Sequence, residues 1–257
     1  MLVFKMNFKK SLKKIMKKAS KQKTKQAEKQ DYGLKEEARD WAVSFLVAAV
    51  VYFLILPIFL HTTSPLVVVS SCSEKGFLDI GDILVIQGVS AKDVKAPAIQ
   101  SSNLNFIALN DSGSPYTYRD FEEGYEVKKL LIGSQTVSLN KSNDIIVYNT
   151  KPFIGQVIHR AFAKIKKGNK YYIITKGDAN LVPDQLGFNA FDKQQNCLTE
   201  NPGNCISTLV DENMIVGKKI LFRIPLLGHV KLFFCDVMPF CEGHSNVGTN
   251  HVYKLSC

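Results

Sequence analysis

A serine hydroxyl is a poor nucleophile at neutral pH, and it needs a base to take its proton and an acid to orient that base. This chain offers one serine-rich turn, Ser70-Ser71-Cys72-Ser73, with Ser73 eight residues ahead of Gly81-Asp82. A histidine follows within an apolar stretch, Ile158-His159-Arg160, and imidazole suits the base role because its unperturbed pKa is ~6.5. Two acids come next: Asp178, in Thr175-Lys176-Gly177-Asp178-Ala179-Asn180, and Asp184, six residues further on. Together these residues could carry acyl transfer. Each also has a plainer reading. Ser73 and Asp178 are good turn residues, Asp184 after Pro183 could cap or turn, and His159 alone could be a satisfied core histidine. Cys72 reads as a small packed residue beside the serine, with a cysteine nucleophile served by His159 as the rival.

The elements that must position these groups begin with a membrane-length apolar run. Residues 41–60 carry no charge and are bounded by Asp40 and His61. About 20 helical residues at ~1.5 Å rise span the ~30 Å hydrocarbon core. The run is too long and uniform for a buried globular helix, and its apolar core exceeds that of a cleaved signal peptide. The net charge of +10 is uneven: residues 1–40 hold 13 Lys and Arg against 5 Asp and Glu, and the remainder 20 against 18. The basic tail predicts a cytoplasmic N-terminus and a body outside the membrane. Phe4, Phe8, Leu12, Ile15, Met16 and Ala19 recur at helical spacing in that tail. They read either as an amphipathic helix on anionic lipid or as a solvated tail. The body, near neutral, gives no electrostatic case for nucleic-acid binding.

Past the span, short β-branched runs lie at 65–70, 82–87, 144–148, 156–162, 170–175, 214–216 and 219–224. Polar clusters such as Lys166-Lys167-Gly168-Asn169 separate them as hairpin turns, which predicts a mainly β, barrel-like body. Residues 89–140 are polar and interrupted and read as an insertion, with a short helix between Phe121 and Ile132. Asn110 and Asn140 head glycosylation-type triplets, weak signals on their own. One echo links Gly81-Asp82-Ile83-Leu84-Val85 to Asn143-Asp144-Ile145-Ile146-Val147. In a disulfide-permissive compartment, Cys197 and Cys205 flank the turn signal Asn201-Pro202-Gly203 and predict a closed loop. Cys235 and Cys241 could close a second loop, or join His244 and His251 in a metal site whose spacing matches no zinc signature.

The order of these blocks carries a resemblance. A span is followed by Ser-x-Ser before Gly-Asp, then by Asp-Ile-Ile-Val-Tyr, Ile-His-Arg and Thr-Lys-Gly-Asp-x-Asn, and finally by Gly217-Lys218-Lys219-Ile220-Leu221-Phe222-Arg223-Ile224-Pro225. In this the chain resembles the type I signal peptidases, in the archaeal and endoplasmic-reticulum branch that uses histidine where the bacterial branch uses lysine. The matched blocks, 41–88, 142–184 and 212–230, cover about half the chain.

The resemblance implies Ser73 as nucleophile and Ser71 as an oxyanion donor beside the Ser73 N–H. It implies His159 as base, Asp184 as the orienting acid and Asp178 as a second, supporting acid. It leaves open which of the two acids holds the histidine. It also implies a domain plan of basic cytoplasmic tail (1–40), transmembrane helix (41–60) and extracytoplasmic catalytic body (61–257). Preprotein signal peptides and the bilayer are the partners expected, with other secretion or signal-peptidase subunits as further candidates. No metal or other cofactor is required. One departure stands out: the family usually follows its serine with Met-Glu-Pro, and here Ser73 is followed by Glu74-Lys75-Gly76. That change keeps a non-catalytic, membrane-anchored scaffold in play. A sortase-type cysteine transpeptidase would need Cys72 at a strand end near an arginine, and a soluble repressor-type self-cleaving protease would lack the span.

Overall fold

The structure is a computed structural model, and it describes residues 36–150, 155–188, 193–199, 205–230 and 233. The basic tail before residue 36, the turn at Asn201-Pro202-Gly203, and Cys235, Cys241, His244 and His251 lie outside the described residues. The chain divides into two units, Met1–Leu56 and Pro57–Cys257.

The apolar run forms a helix, α1 (Glu36–Leu60), long and apolar enough to cross a membrane. Its large side chains, among them Trp41, Phe45 and Phe53, are exposed, whereas a core helix would bury them. The helix widens into a π turn over Val51–Ile55, where the Leu56 N–H reaches back to the Val51 carbonyl. Pro57, which has no N–H to donate, follows directly.

The body is mainly β. Its principal sheet runs in the order β1 (Leu66–Val68), β2 (Ile83–Gln87), β12 (Ile215–Ile224), β7 (Ile145–Asn149), β8 (Gln156–Lys167) and β3 (Ala98–Gln100), and β9 (Lys170–Lys176) pairs with the other edge of β8. All these pairings are antiparallel except β3 on β8. Long β8 therefore serves three neighbours. The β8–β9 turn is the expected two-residue hairpin, with Gly168 at φ 60°. The runs read as separate strands at 214–216 and 219–224 are one strand, β12. It stays continuous by shifting register between Ile215 and Gly217 and between Lys219 and Arg223.

The barrel-like form expected is not confirmed: the described strands form an open, branched principal sheet and two smaller sheets, and among them no closed barrel is seen. Closure requires the two outer strands to pair at a consistent stagger. Three-residue β1 pairs with β2 alone, and β9 pairs with β8.

The echo noted above has a structural counterpart. β2 and β7 flank β12, and the aspartate ahead of each strand holds a β12 cation: Asp82 with Arg223 at 3.0 Å and Asp144 with Lys218 at 3.1 Å.

Residues 89–140 are more ordered than their polarity suggests. β4 (Phe106–Leu109), β5 (Lys129–Ile132) and β6 (Gln135–Ser138) make a three-stranded antiparallel sheet. Its inner residues Phe106, Ala108, Leu130 and Ile132 share a core with Phe162, Ile165 and Ile174 of β8 and β9. The expected helix is shorter and earlier. α2 (Tyr118–Glu122) starts at a Thr117–Asp120 capping box, and Gly124 at φ 83° follows its end. Only the end of that range, Lys129–Ile132, becomes β5. The edge of β4 is covered by side-chain amides of the hairpin β10 (Leu186–Phe188) and β11 (Gln194–Asn196). Gln194 Oε1 accepts from the Ala108 N–H at 2.8 Å, and Asn196 Oδ1 from the Phe106 N–H at 3.0 Å.

Candidate active site

Pleating decides which acid serves which base. Successive side chains in a strand point to opposite faces, and directly paired residues share a face. In β8, His159 pairs with Ile146, Val157 with Tyr148, and Ala161 with Thr175 of β9. His159, Tyr148 and Thr175 therefore converge on one face. Arg160 pairs with Ile145 and Lys176 and belongs to the other.

On the first face the acid is Asp184. Its Oδ2 lies 2.6 Å from His159 Nδ1 and also accepts from Tyr148 Oη at 2.8 Å and Thr175 Oγ1 at 2.6 Å. Asp184 is wholly buried and His159 only 4% exposed. Because the carboxylate can only accept, His159 Nδ1 carries the proton and Nε2 keeps the lone pair a base needs. Burial alone would pull the imidazole down. The Asp184 charge and hydrogen bond, with Glu74, outweigh it and hold His159 above its ordinary value.

The backbone around Asp184 is fixed from both sides. Its N–H donates to the Thr175 carbonyl at 2.8 Å, and its carbonyl accepts from the Ser207 N–H at 3.1 Å. Gln185 reinforces this: its Oε1 accepts from the Thr175 N–H, and its Nε2 donates to Thr175 Oγ1 and to the Thr208 carbonyl. The expected Cys197–Cys205 disulfide forms, with 6.3 Å between the Cα atoms. It joins the segment bearing Ser207 to Cys197, whose N–H donates to the Gln185 carbonyl.

Asp178 serves the other face. It takes Arg160 bidentately, Nε to Oδ1 at 2.8 Å and Nη2 to Oδ2 at 2.7 Å. Arg160 Nη1 also donates to the carbonyls of Lys141 and Asn143. Burial would raise the Asp178 carboxyl, but the Arg160 guanidinium beside it holds it below the usual carboxylate range. A carboxyl depressed in the folded state contributes stability above its unfolded value of ~3.9, and that contribution is lost as pH falls through the folded value. Asp178→Asn should therefore melt below the wild type at pH 7, with the gap narrowing below about pH 4. Thermal melts of both proteins across that range test this. Arg160→Ala, which leaves a buried carboxylate unpaired, should cost roughly 3–5 kcal/mol in chemical denaturation.

The serine turn reaches the site through the loop after β9. The Ala179 N–H donates to the Ser73 carbonyl at 2.8 Å, and the Asp178 N–H donates to Glu74 Oε1 at 3.2 Å. Gly177 permits this approach, since a Cβ there would come within 2.7 Å of the Ser73 carbonyl oxygen. The neck of the serine turn is closed by Val69 N–H to Asp82 O and Gly81 N–H to Val69 O, both 2.9 Å. Gly81 lies at φ 85°, where a side chain would strike His229. Ser71 Oγ lies 3.3 Å from Ser73 Oγ. Among the described residues, the Ser73 N–H donates no backbone hydrogen bond and no hydrogen bond joins Ser73 to His159.

Cys72 is disulfide-bonded, which removes its sulfur as a thiolate nucleophile. Four residues with no role assigned from sequence belong to the site: Tyr148, Thr175, Arg160 and Glu74. The first three sit inside the motif blocks. Strand parity could have flagged them only once the register was known.

No protein-family model matches this chain, and comparison with curated proteins finds no match.

Proposed function

We propose that this chain is a membrane-anchored serine endopeptidase of the signal peptidase I type. It would remove N-terminal signal peptides from exported preproteins by cleaving after small residues. The observation that carries the reading is the buried His159–Asp184 pair, with Nδ1 tied to the carboxylate and the Ser73 turn pinned to the loop after β9. In this reading Ser73 Oγ attacks the scissile carbonyl while His159 Nε2 takes its proton. The Ser73 N–H and Ser71 Oγ stabilise the oxyanion, and the proton passes to the leaving amine. Water, activated by the same histidine, then splits the acyl-enzyme to a free carboxylate and Ser73. The chemistry calls for no metal.

Helix α1 would place the substrate's apolar segment and the enzyme in one bilayer, with the basic tail cytoplasmic and the body outside. The cleavage site would lie extended along a strand edge. The barrel-like signal-peptidase body of the resemblance corresponds here to the open β sheet that carries His159.

The second reading is a non-catalytic anchored relative that binds preproteins or acts as a scaffold. The missing Ser73–His159 hydrogen bond favours it, although such bonds are often long before substrate binds.

The raised His159 gives a pH test. A base must be neutral to act, so kcat/KM on a preprotein should rise with pH through an acid limb centred above ~6.5. A limb centred below that value would contradict the histidine assignment. Labelling of Ser73 by an acylating serine probe separates the enzyme from the scaffold.

A further inference from the structure

Glu74 stands where the resembling family has methionine, and a charged side chain there would ordinarily face water. Instead it is 1% exposed. Its Oε1 accepts from the Asp178 N–H at 3.2 Å, and its Oε2 is buried with no hydrogen-bond partner. A buried polar atom left unpaired costs ~1–3 kcal/mol, and more when charged. Such a group in the residue next to the nucleophile calls for a role.

Its surroundings supply one. The Asp178 and Ala179 amides, adjacent in sequence, bind Glu74 Oε1 and the Ser73 carbonyl respectively. Together they clamp the serine turn to the loop that leaves β9. The ionisable groups coupled to Glu74 are His159 and Arg160 from β8, Asp178 from the loop and Tyr148 from β7. Lys176 of β9 acts on His159 from the same neighbourhood.

We propose that Glu74 is a positioning residue: through the Asp178 amide its buried carboxyl holds the Ser73 turn against the loop after β9. The proposal rests on the peptidase reading for its catalytic meaning, and on the buried Glu74 carboxyl with its hydrogen bond from the Asp178 amide for the positioning. Burial, the largest influence, pushes the Glu74 carboxyl up to about 8, against the opposing pull of His159. Two groups that interact strongly lose their protons in two shared steps. Ionised Glu74 favours the imidazolium and neutral Glu74 does not, so removing the carboxylate should lower the His159 midpoint.

The test uses the full chain in detergent micelles, comparing wild type, Glu74→Gln and Glu74→Ala. Gln keeps a carbonyl acceptor for the Asp178 amide but cannot ionise. The His159 Cε1–H signal followed by NMR should show two inflections in wild type, one near pH 8. In Glu74→Gln it should show one, moved down. The acid limb of kcat/KM should move in the same direction. Glu74→Ala should lose kcat about 10-fold or more with little change in KM, with Gln restoring part of it. A Glu74→Ala variant with the kcat of wild type, or identical single-step His159 titrations in wild type and Glu74→Gln, would overturn the proposal. If wild type cleaves no preprotein, the peptidase reading fails, while the NMR titration still decides the coupling.

Discussion

Ser73→Ala is expected to abolish preprotein cleavage by the purified chain in detergent, lowering kcat by about 10^3-fold or more. The substitution removes one oxygen from a partly exposed turn. The backbone contact that pins the turn uses the Ser73 carbonyl, not its side chain. Stability should therefore change little, and a melting temperature within a few degrees of wild type is the control. Cleavage after a small residue that vanishes in the variant would establish both the activity and the nucleophile. Cleavage that survives would move the nucleophile to Ser71, whose hydroxyl lies 3.3 Å away, since the Cys72 sulfur is already bonded. A folded wild type that cuts none of several preproteins would favour the non-catalytic scaffold.

Asp184→Asn should produce the second large effect, and unlike the first it should reach stability as well as rate. Asp184 Oδ2 takes three donors, from His159, Tyr148 and Thr175, in a wholly buried setting. An amide carries two N–H donors of its own and no charge, so it cannot satisfy that set. Loss of the carboxylate frees His159 to adopt the wrong tautomer, a change worth about 10^4-fold in kcat in a comparable triad. Hydrogen bonds to a buried charge are worth ~1.5–3 kcal/mol each, so denaturation should show a loss of roughly 3 kcal/mol or more. Asp178→Asn is the comparison. It should lose stability through Arg160 while keeping the His159-dependent acid limb of the rate profile. If Asp178→Asn erased that limb and Asp184→Asn preserved it, the roles of the two acids would be reversed.

These expectations separate what local pattern reveals from what register decides. The candidate serine, histidine and both acids could be named from sequence by the order and spacing of their blocks. The apolar run 41–60 was legible because twenty uncharged residues are a length signal that needs no tertiary context. The Cys197–Cys205 loop was legible for a similar reason, as two nearby cysteines flank a turn. The strands within 89–140 were not legible because their sheet buries one face against β8 and β9, and short polar hairpins show that only through their partners. Whether the sheet closes was not legible for the same reason, since strand runs say where strands are and not which edges meet.

Sequence by itself determined the kinds of groups available: a serine turn, a histidine, two acids and a membrane-length helix, in an order that suggests a use. Tertiary structure alone decided how they pair. The two-residue period of β8 sends His159 and Arg160 to opposite faces, so Asp184 meets the histidine and Asp178 the arginine. It also decided that Glu74, an ordinary charged turn residue by sequence, is buried against the Asp178 amide. Side-chain burial depends on what the loop after β9 covers, and that loop lies about a hundred residues away along the chain.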